Sequence, residues 1–398
     1  MKLIPEIIAN HKALSKLRQD IHAHPELAYE ESRTAALVAD YLSNCGIDVS
    51  EGVGGTGVVG TLVGSRKPSG NGIPSIGLRA DMDALPMTES NTFPHASKYA
   101  GKMHGCGHDG HTVMLLGAAK YLADTRDFEG RVQFIFQPAE EANTKGSGAK
   151  AMIEDGLFDR FPVDRVFGFH NMPGLPVGDI ALRAGPMMAA MDLFDVTVTG
   201  QGTHGALPHK GVDTTLVCAA LITAWQTIVS RNVDPLERCV LSATSLNVGE
   251  TYNVVPETGV IRGSVRSFSL EVSQLIKERF ISLTEQICAA YGATVVIDYR
   301  MDYPATINDA GEAMYAFKTA SSFMPADRVS QDTLPLMGSE DFAHMLSQVP
   351  GAYIWIGNGG ATSSGHPCLL HDCRYDFNDD IIPVGATLWV KLVEGINS

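Results

Sequence analysis

Strand-like and helical patterns alternate along the first 185 residues, and this alternation restricts the fold more than any other feature of the chain. Apolar, strand-like runs cover residues 57–64, 75–85, 131–141 and 165–172, and a helical pattern covers 111–123. A second helical pattern, with apolar residues at 35, 38, 39 and 42, precedes the first of these strands. Such alternation predicts an α/β fold with a mostly parallel sheet flanked by helices. In sheets of this kind, chemistry gathers at the carboxyl ends of the strands.

The pattern changes near residue 186. An alternating strand at 193–200 is followed by an amphipathic helix at 214–230, two further strands, a long helix and a last strand that ends near 303. This order predicts a smaller α+β domain inserted over 186–303. Residues 1–185 and 304–398 would then form one larger domain, and a chain of 398 residues is long enough for two.

Charge and cysteine content exclude several classes of protein. The formal net charge of −15 argues against a surface for nucleic acid or for an anionic membrane. No apolar run approaches the ~20 residues that span a bilayer. Seven scattered cysteines, an odd number, make a disulfide framework improbable and favour the reducing cytoplasm.

One short motif imitates a nucleotide site. Residues 52–57 read GVGGTG and match the dinucleotide-binding pattern, but a helix precedes them and a strand follows. The fingerprint requires a strand before it and a helix after it. We therefore interpret these glycines as a turn that needs positive φ.

Polar residues that suit a divalent metal ion follow several of the predicted strands. Residues 103–111, MHGCGHDGH, hold one thiol, three imidazoles and one carboxylate at the start of the helix at 111–123. Each candidate alone has an ordinary explanation, such as a helix cap, a hydrogen-bonded histidine or a solvated carboxylate. Together at successive strand ends they predict a metal site. The candidates are Asp81, Asp83, Cys106, His108, Glu140, Glu141 and His170.

Seven motifs, in order, resemble the M20 metallopeptidase family: residues 22–31, 78–87, 103–119, 136–141, 202–209, 338–342 and 369–379. The subgroup they resemble is the amidohydrolases that include hippurate hydrolase, N-acyl-amino-acid hydrolases and auxin-conjugate hydrolases. The resemblance implies two divalent ions per subunit and a homodimer formed by the inserted domain. It also implies a metallopeptidase-type fold for the larger domain.

The resemblance implies a role for each matching residue. The implied metal ligands are Cys106, His108, Glu141, His170 and His371, with His366 as the rival of His371. Glu140 would be the general base, and Asp83 would orient a ligand or tune the base. His204 would reach into the partner subunit's cleft and stabilise the oxyanion there, and Asn253 and Arg266 would hold the substrate carboxylate. His104 and His111 remain supporting or structural residues.

Two positions depart from the wider superfamily. Asp81 stands where a His-x-Asp motif has its histidine, and Cys106 stands where an aspartate commonly bridges the metals. Both departures are usual for the amidohydrolase subgroup. A thiolate favours zinc and oxygen ligands favour manganese, so the expected ions are Zn²⁺ or Mn²⁺, with Ni²⁺ or Co²⁺ as alternatives.

The resulting hypothesis is hydrolysis of the amide bond of N-acyl amino acids, with hippurate-like substrates first. The alternatives are an N-acetyl-amino-acid or N-acetyldiaminopimelate deacetylase, and a dipeptidase or aminopeptidase. Two hypotheses from other classes are a metal-free thiol hydrolase with Cys106 as nucleophile and a non-catalytic binding module. The intact set of Glu140 and five candidate ligands argues against the binding module.

Overall fold

A computed structural model of the chain describes residues 1–67, 73–142, 146–360 and 368–395. The chain divides into two units. Unit 1 comprises Met1–Met187, Ile307–Leu334 and Asp341–Ser398, and unit 2 comprises Met188–Thr306 and Pro335–Glu340. The sequence interpretation assigned 335–340 to the larger domain, whereas the structure groups it with unit 2. In that unit the Ala189 N–H donates to the Leu336 carbonyl at 3.1 Å, a contact that no sequence pattern announces.

Ten α-helices and sixteen strands are assigned within the described residues. The helices are α1 Pro5–Ala23, α2 Ser32–Asn44, α3 His108–Thr125, α4 Gly148–Glu154, α5 Leu157–Arg160, α6 Thr214–Thr227, α7 Leu270–Tyr291, α8 Ala310–Phe323, α9 Ala343–Leu346 and α10 Ile382–Glu394. The strands are β1 Asp48–Val53, β2 Gly57–Val63, β3 Ser75–Asp81, β4 Arg131–Gln137, β5 Arg165–Pro173, β6 Ile180–Ala181, β7 Gly185–Met188, β8 Ala190–Thr199, β9 Thr203–His204, β10 Cys239–Val248, β11 Val254–Val255, β12 Thr258–Ser267, β13 Thr294–Tyr303, β14 Thr306–Asn308, β15 Val329–Ser330 and β16 Gly351–Gly359.

Unit 1 is built on an eight-stranded sheet with the order β1-β2-β4-β3-β5-β16-β6-β15. Strand β3 runs parallel to both β4 and β5, and β16 runs parallel to β5. The pairs β1–β2 and β2–β4 are antiparallel. The predicted α/β class with a mostly parallel sheet is confirmed. The carboxyl ends of β3, β4, β5 and β16 consequently lie at one edge of the sheet.

Helix α3 packs in the interior of unit 1, and 13 of its 18 residues are buried. A helix enclosed in this way has no continuous side that faces solvent, which explains why its sequence lacks a clear polar face. It packs against β3, α1 and α10. Gly117 allows α3 to approach α1 closely, because a Cβ at this position would lie 2.9 Å from a methyl carbon of Leu14. This packing fixes the first residue of α3, His108, against the sheet edge.

Two strands end earlier than their apolar patterns predicted. Strand β3 ends at Asp81 instead of 85, and β4 ends at Gln137 instead of 141. Pro138 has no N–H to donate to a neighbouring strand, and Ala139 adopts a left-handed conformation with φ +53°. Glu140 and Glu141 therefore lie in a turn beyond β4.

The GVGGTG motif forms the hairpin turn between antiparallel β1 and β2. Gly54 and Gly55 have φ values of +64° and +110°. The interpretation of this motif as a positive-φ turn is confirmed.

Unit 2 contains a four-stranded antiparallel sheet with the order β10-β12-β8-β13. Helices α6 and α7 pack together on this sheet, and the core between them includes Phe194, Trp225 and Phe280. The buried Trp225 indole donates to Thr284 Oγ1 at 2.9 Å, which satisfies its N–H. A second, two-stranded pairing joins β9 and β11.

Two expectations about the chain as a whole can be compared with the structure. All seven cysteines are free thiols, so the expectation that there is no disulfide framework is confirmed. In the described ranges, no helix combines the length and the apolar character that crossing a bilayer requires.

Candidate metal centre

The glycines of the MHGCGHDGH segment let the chain turn where no side chain would fit. Gly107 precedes α3 with φ +97°, and a Cβ on it would lie 2.1 Å from Asn171 Oδ1. The Gly105 carbonyl accepts the His371 N–H at 2.8 Å. The segment therefore presents Cys106 and His108 on either side of Gly107 and is tied to the distant residue His371.

Five sequence-predicted ligands and the predicted base converge in three overlapping groups. In each group the ligand atoms lie within 4.8 Å of one another. Cys106 belongs to two of the groups, so the arrangement resembles two neighbouring sites that share one thiol. The groups are Cys106, His108 and His170; Cys106, Glu141 and His371; and His108, Glu140 and Glu141.

Hydrogen bonds orient the two buried imidazoles with Nε2 toward the centre. His170 Nδ1 donates to the Asn171 carbonyl at 2.7 Å, and its Nε2 lies 3.3 Å from Cys106 Sγ. His108 Nδ1 lies 3.1 Å from Asp83 Oδ1, and an ionised carboxylate can only accept, so this nitrogen carries the proton. Histidines that bind metals characteristically donate their other N–H in this way.

One buried atom of a predicted ligand has no hydrogen-bond partner within the described residues. His108 Nε2 has no hydrogen-bond partner among the described residues, although it is fully enclosed. A buried ring nitrogen without a hydrogen-bond partner is costly. This one lies beside the Cys106 and His170 ligand atoms, and Asp81 Oδ2 is 3.8 Å away. A cation coordinated at this point would satisfy it.

The two adjacent glutamates reach the same centre because the backbone turns at Ala139. The Glu141 N–H donates to Asp83 Oδ2 at 2.9 Å, and Glu141 Oε1 lies 2.9 Å from His371 Nε2. Glu140 is buried, with 7% of its surface exposed. His366, the alternative to His371, lies outside the described residues.

The charge of the centre also fits a divalent cation. Burial lowers the pKa of His108, but the carboxylates of Asp81 and Asp83 outweigh it and raise that pKa to about 10. Burial and the Glu141 carboxylate raise the pKa of the Cys106 thiol. Burial and the neighbouring His111 keep the pKa of His170 low, so this ring is neutral and able to coordinate. A divalent ion would balance the excess of negative charge and favour the thiolate. The residues present therefore fit such an ion.

A buried network beneath the centre was not found by sequence reasoning. Arg79, in the middle of apolar β3, donates to Asp81 Oδ2 at 2.7 Å and to Asp341 Oδ1 at 3.0 Å, and all three side chains are fully buried. Asp341 also accepts from Gln137 Nε2 at 2.7 Å. The available signal was an arginine inside the run SIGLRAD, which can be buried only if it is paired.

His111 and His104, the two histidines expected to be supporting or structural, have different surroundings. His111 Nδ1 donates to Asp81 Oδ1 at 2.6 Å, and its Nε2 accepts the Asn171 N–H at 3.0 Å. It therefore connects the ends of β3 and β5 behind the ligands. His104 is buried in the same segment, but neither of its ring nitrogens has a hydrogen-bond partner within the described part of the chain. Burial lowers its pKa to about 3, so the ring is neutral.

The comparisons with known proteins identify the family. A sequence profile of Peptidase family M20/M25/M40 matches residues 77–395. The chain belongs to this family. The predicted recognition of an M20 metallopeptidase of the amidohydrolase subgroup is thereby confirmed, as is the prediction of a hydrolase.

Relatives in this family match almost the whole chain. Hippurate hydrolase of Campylobacter jejuni subsp. jejuni is 40% identical over 392 residues, which are 98% of this chain and 98% of the relative. N-acetyl-L-cysteine deacetylase of Bacillus subtilis is 41% identical over 362 residues, which are 91% of this chain and 84% of the relative.

A solved structure from the family has the same fold. It is the YXEP protein of Bacillus subtilis, described as a dinuclear metal binding peptidase of the M20 family, and it is 30% identical with a TM-score of 0.83. The alignment covers 98% of each chain. Together with the ligand groups of this M20 protein, these findings support a divalent metal cofactor.

In unit 2 of this M20 protein, two of the three predicted site residues lie on neighbouring backbone. His204 on β9 pairs with Val254 of β11, and the Gly205 N–H donates to the Asn253 carbonyl at 2.8 Å. Both His204 and Asn253 are exposed. Arg266 lies on β12, half-buried, and its guanidinium donates to Ser339 Oγ. Burial lowers the pKa of Arg266, yet it remains a cation at neutral pH.

Proposed function

We propose that this M20 protein hydrolyses the amide bond of N-acyl amino acids, releasing a carboxylic acid and a free amino acid. The observation that carries the proposal is the pair of ligand groups that share Cys106, with the buried Glu140 carboxylate beside them. An aromatic acyl group on glycine is the first choice of substrate, because the hippurate hydrolase relative matches over 98% of both chains.

Two divalent ions per subunit would be held by Cys106, His108, Glu141, His170 and His371. Zn²⁺ or Mn²⁺ suits this mixture of sulfur, nitrogen and oxygen donors, with Ni²⁺ or Co²⁺ as alternatives. When bound, such ions lower the pKa of a coordinated water and polarise the substrate carbonyl.

Glu140 takes the proton from the attacking water and later delivers it to the leaving amide nitrogen. The balance is one water consumed, one C–N bond broken, and one acid and one amine formed. Asp83 supports this step by orienting two of the proposed ligands. One of its oxygens accepts from His108 Nδ1, and the other accepts the Glu141 N–H, so it fixes a ligand from each group.

Residues of unit 2 would bind the substrate and the developing oxyanion. His204 Nδ1 accepts the Ala206 N–H at 3.0 Å, which leaves the ring proton on Nε2 as a donor. We propose a two-fold homodimer formed through unit 2, in which exposed His204 donates to the oxyanion in the partner's site. Asn253 and Arg266 would hold the carboxylate of the substrate.

Of two alternative functions, a relative supports one and the surroundings of Cys106 oppose the other. Deacetylation of N-acetyl amino acids, N-acetyldiaminopimelate among them, is the second candidate function, because a 41% identical relative is an N-acetyl-L-cysteine deacetylase. A metal-free thiol hydrolase is disfavoured, since Cys106 is buried among carboxylates that raise its pKa. Activated cysteines lie in electropositive, partly exposed surroundings.

We place the enzyme in the cytoplasm, because seven free thiols are typical of a reducing compartment.

The proposal is tested with a substrate panel and one variant. Hippurate, N-acetyl amino acids, N-acetyldiaminopimelate and a dipeptide are incubated with the metal-loaded enzyme, and the released amine is quantified by chromatography. We expect hippurate to be cleaved and the dipeptide to be a poor substrate.

In the Glu140→Ala variant, kcat should fall about 10²- to 10⁴-fold while the metal content stays at the wild-type level. Glu154→Ala, which removes an exposed carboxylate from α4, is the control and should retain full activity. Undiminished turnover in Glu140→Ala would show that Glu140 is not the base.

A further inference from the structure

The motif HAHPELAYEE, residues 22–31, holds none of the proposed metal ligands. It contacts three segments, which carry the ligand His108, the orienting residue Asp83, and the pair Glu140 and Glu141. His22 Nδ1 bonds to Asp109 Oδ2 at 2.8 Å, beside His108. The Glu26 carbonyl accepts the Ala84 N–H at 2.8 Å, beside Asp83. Glu31 Oε1 accepts the Ala139 N–H at 2.9 Å, beside Glu140. We call residues 22–31 the brace segment.

Glu31 makes the most informative of these contacts because its carboxyl is fully buried. One oxygen accepts the Ala139 N–H, and the other accepts the Thr56 hydroxyl at 2.5 Å. Both partners are neutral, and among the described residues Glu31 forms no salt bridge that would account for a charged side chain here. A buried carboxyl without a cationic partner costs stability, which indicates a role other than stabilisation of the fold.

Helix capping does not account for Glu31 either. Glu31 occupies the N-cap position of α2, but its side chain makes no capping hydrogen bond. The first amides of α2, those of Arg33 and Thr34, donate instead to the Glu26 carboxylate at 2.9 and 2.8 Å. Glu26 therefore caps the helix, and Glu31 contacts the chain that leads to the metal centre.

Ala139 is the residue at which that chain changes direction. Along a regular strand, consecutive side chains point to opposite faces, so Glu140 and Glu141 would diverge. Their carboxylates instead share one group with His108, and the turn that allows this contains Ala139 at φ +53°. Alanine in a left-handed conformation must be held by its surroundings.

The surroundings of Ala139 hold both its backbone polar groups and its methyl group. Its N–H donates to Glu31, and its carbonyl accepts the Gly148 N–H at 3.0 Å. Its methyl group is buried in a small cluster with Ala28, Ala142 and Tyr29, of which Ala28 and Tyr29 belong to the brace segment.

We propose that Glu31 is a positioning residue: by holding the Ala139 N–H, it fixes the turn that brings the base Glu140 and the ligand Glu141 to one centre. The inference rests on the proposed function for the identity of Glu140 as base. Glu31 acts through the backbone of Ala139 and so controls the direction of the base.

The test compares variants that keep or remove the acceptor for Ala139. In Glu31→Gln, the amide oxygen still accepts from Ala139 and the NH₂ donates to Thr56 Oγ1, so both bonds survive. In Glu31→Ala, the Ala139 N–H loses its acceptor. Glu31→Asp keeps the charge but is one methylene shorter, and it serves as the milder variant if Glu31→Ala does not fold. Glu26→Gln, which alters only the α2 cap, is the matched control.

Two readouts separate positioning from general destabilisation. For Glu31→Ala and Glu31→Asp, we expect kcat to fall by about 10-fold or more, since small misplacements can cost up to 10²-fold, while KM and metal content change little. Glu31→Gln should stay within about threefold of wild type, and Glu26→Gln should lose stability without loss of kcat. Hydrogen exchange of the peptide over 138–142 should accelerate in Glu31→Ala and remain slow in Glu31→Gln.

A double-mutant cycle completes the test. In a Glu140→Gln background, Glu31→Ala should lower the residual kcat little further, because the base it positions is already absent. The inference is overturned if Glu31→Ala and Glu31→Asp keep wild-type kcat, if Glu31→Gln falls as far as Glu31→Ala, or if the two losses multiply. If the wild type cleaves no N-acyl amino acid, the proposed function fails, whereas the exchange readout still decides whether Glu31 holds the turn.

Discussion

Replacement of Gly107 by alanine tests the geometry of the ligand segment directly. Gly107 lies between Cys106 and His108 and has φ +97°. An added Cβ would lie 2.1 Å from Asn171 Oδ1 and 2.7 Å from Tyr375 Oη. Neither atom can move freely, because the Asn171 amide donates to Tyr375 Oη and its main-chain N–H donates to His111.

The expected cost has two parts. Alanine in a left-handed conformation costs about 1–2 kcal/mol. Overpacking against a fixed buried group costs about 1–3 kcal/mol more. The free energy of unfolding of Gly107→Ala should therefore fall by about 2–5 kcal/mol. Metal affinity should fall as well, since both neighbours of Gly107 are proposed ligands.

The matched control is Gly174→Ala. Gly174 has φ +94°, but no atom of the described residues lies within 4 Å of an added Cβ, so this variant carries the backbone strain without the collision. Urea denaturation followed by circular dichroism gives the unfolding free energies, and titration against a chromophoric chelator gives metal affinity. If Gly107→Ala is no less stable than Gly174→Ala and binds metal equally well, the described packing around the ligand segment is wrong.

Two further predictions follow from neighbouring contacts. Asp83 accepts one hydrogen bond on each carboxylate oxygen, from His108 Nδ1 and from the Glu141 N–H. The Asp83→Asn variant keeps only one of these acceptors, so it should weaken metal binding by about 10- to 100-fold in a chelator competition. Unchanged affinity would refute the orienting role of Asp83. Burial lowers the pKa of His22, but bonds to Asp109 and Glu89 raise it to about 9, above the ordinary 6.5. Between pH 6.5 and 9, His22 is therefore protonated in the folded protein and neutral in the unfolded chain. This difference stabilises the fold by on the order of 3 kcal/mol; the stabilisation is complete below pH ~6.5 and is lost as pH rises through 9. In unfolding measurements across this window, the difference between wild type and His22→Gln should shrink with rising pH, and a constant difference would contradict it.

The parallel sheet was predictable because apolar runs and helical patterns alternate, and the ends of parallel strands necessarily meet at one edge. For the same reason, the sequence predicted that the polar side chains near the ends of these strands, such as Asp81 and His170, would gather at that edge. The GVGGTG turn followed from the order of the elements around it.

Other features depend on contacts between distant residues and leave little trace in local patterns. Nothing in FQPAEE specifies a left-handed alanine, because its acceptor, Glu31, lies more than 100 residues earlier. The assignment of 335–340 to unit 2 depends on main-chain pairing with Ala189. Arg79 could have been noticed as a charge inside an apolar strand, but its partner Asp341 is 262 residues away.

Metal analysis combined with hippurate hydrolysis tests the central claim most directly. The purified enzyme is assayed with its metal content determined, then after exhaustive chelation, and again after addition of Zn²⁺ or Mn²⁺. We predict about two divalent ions per subunit, loss of nearly all turnover when they are removed, and recovery when they are restored. Hydrolysis that continues unchanged in the metal-free protein would contradict the account.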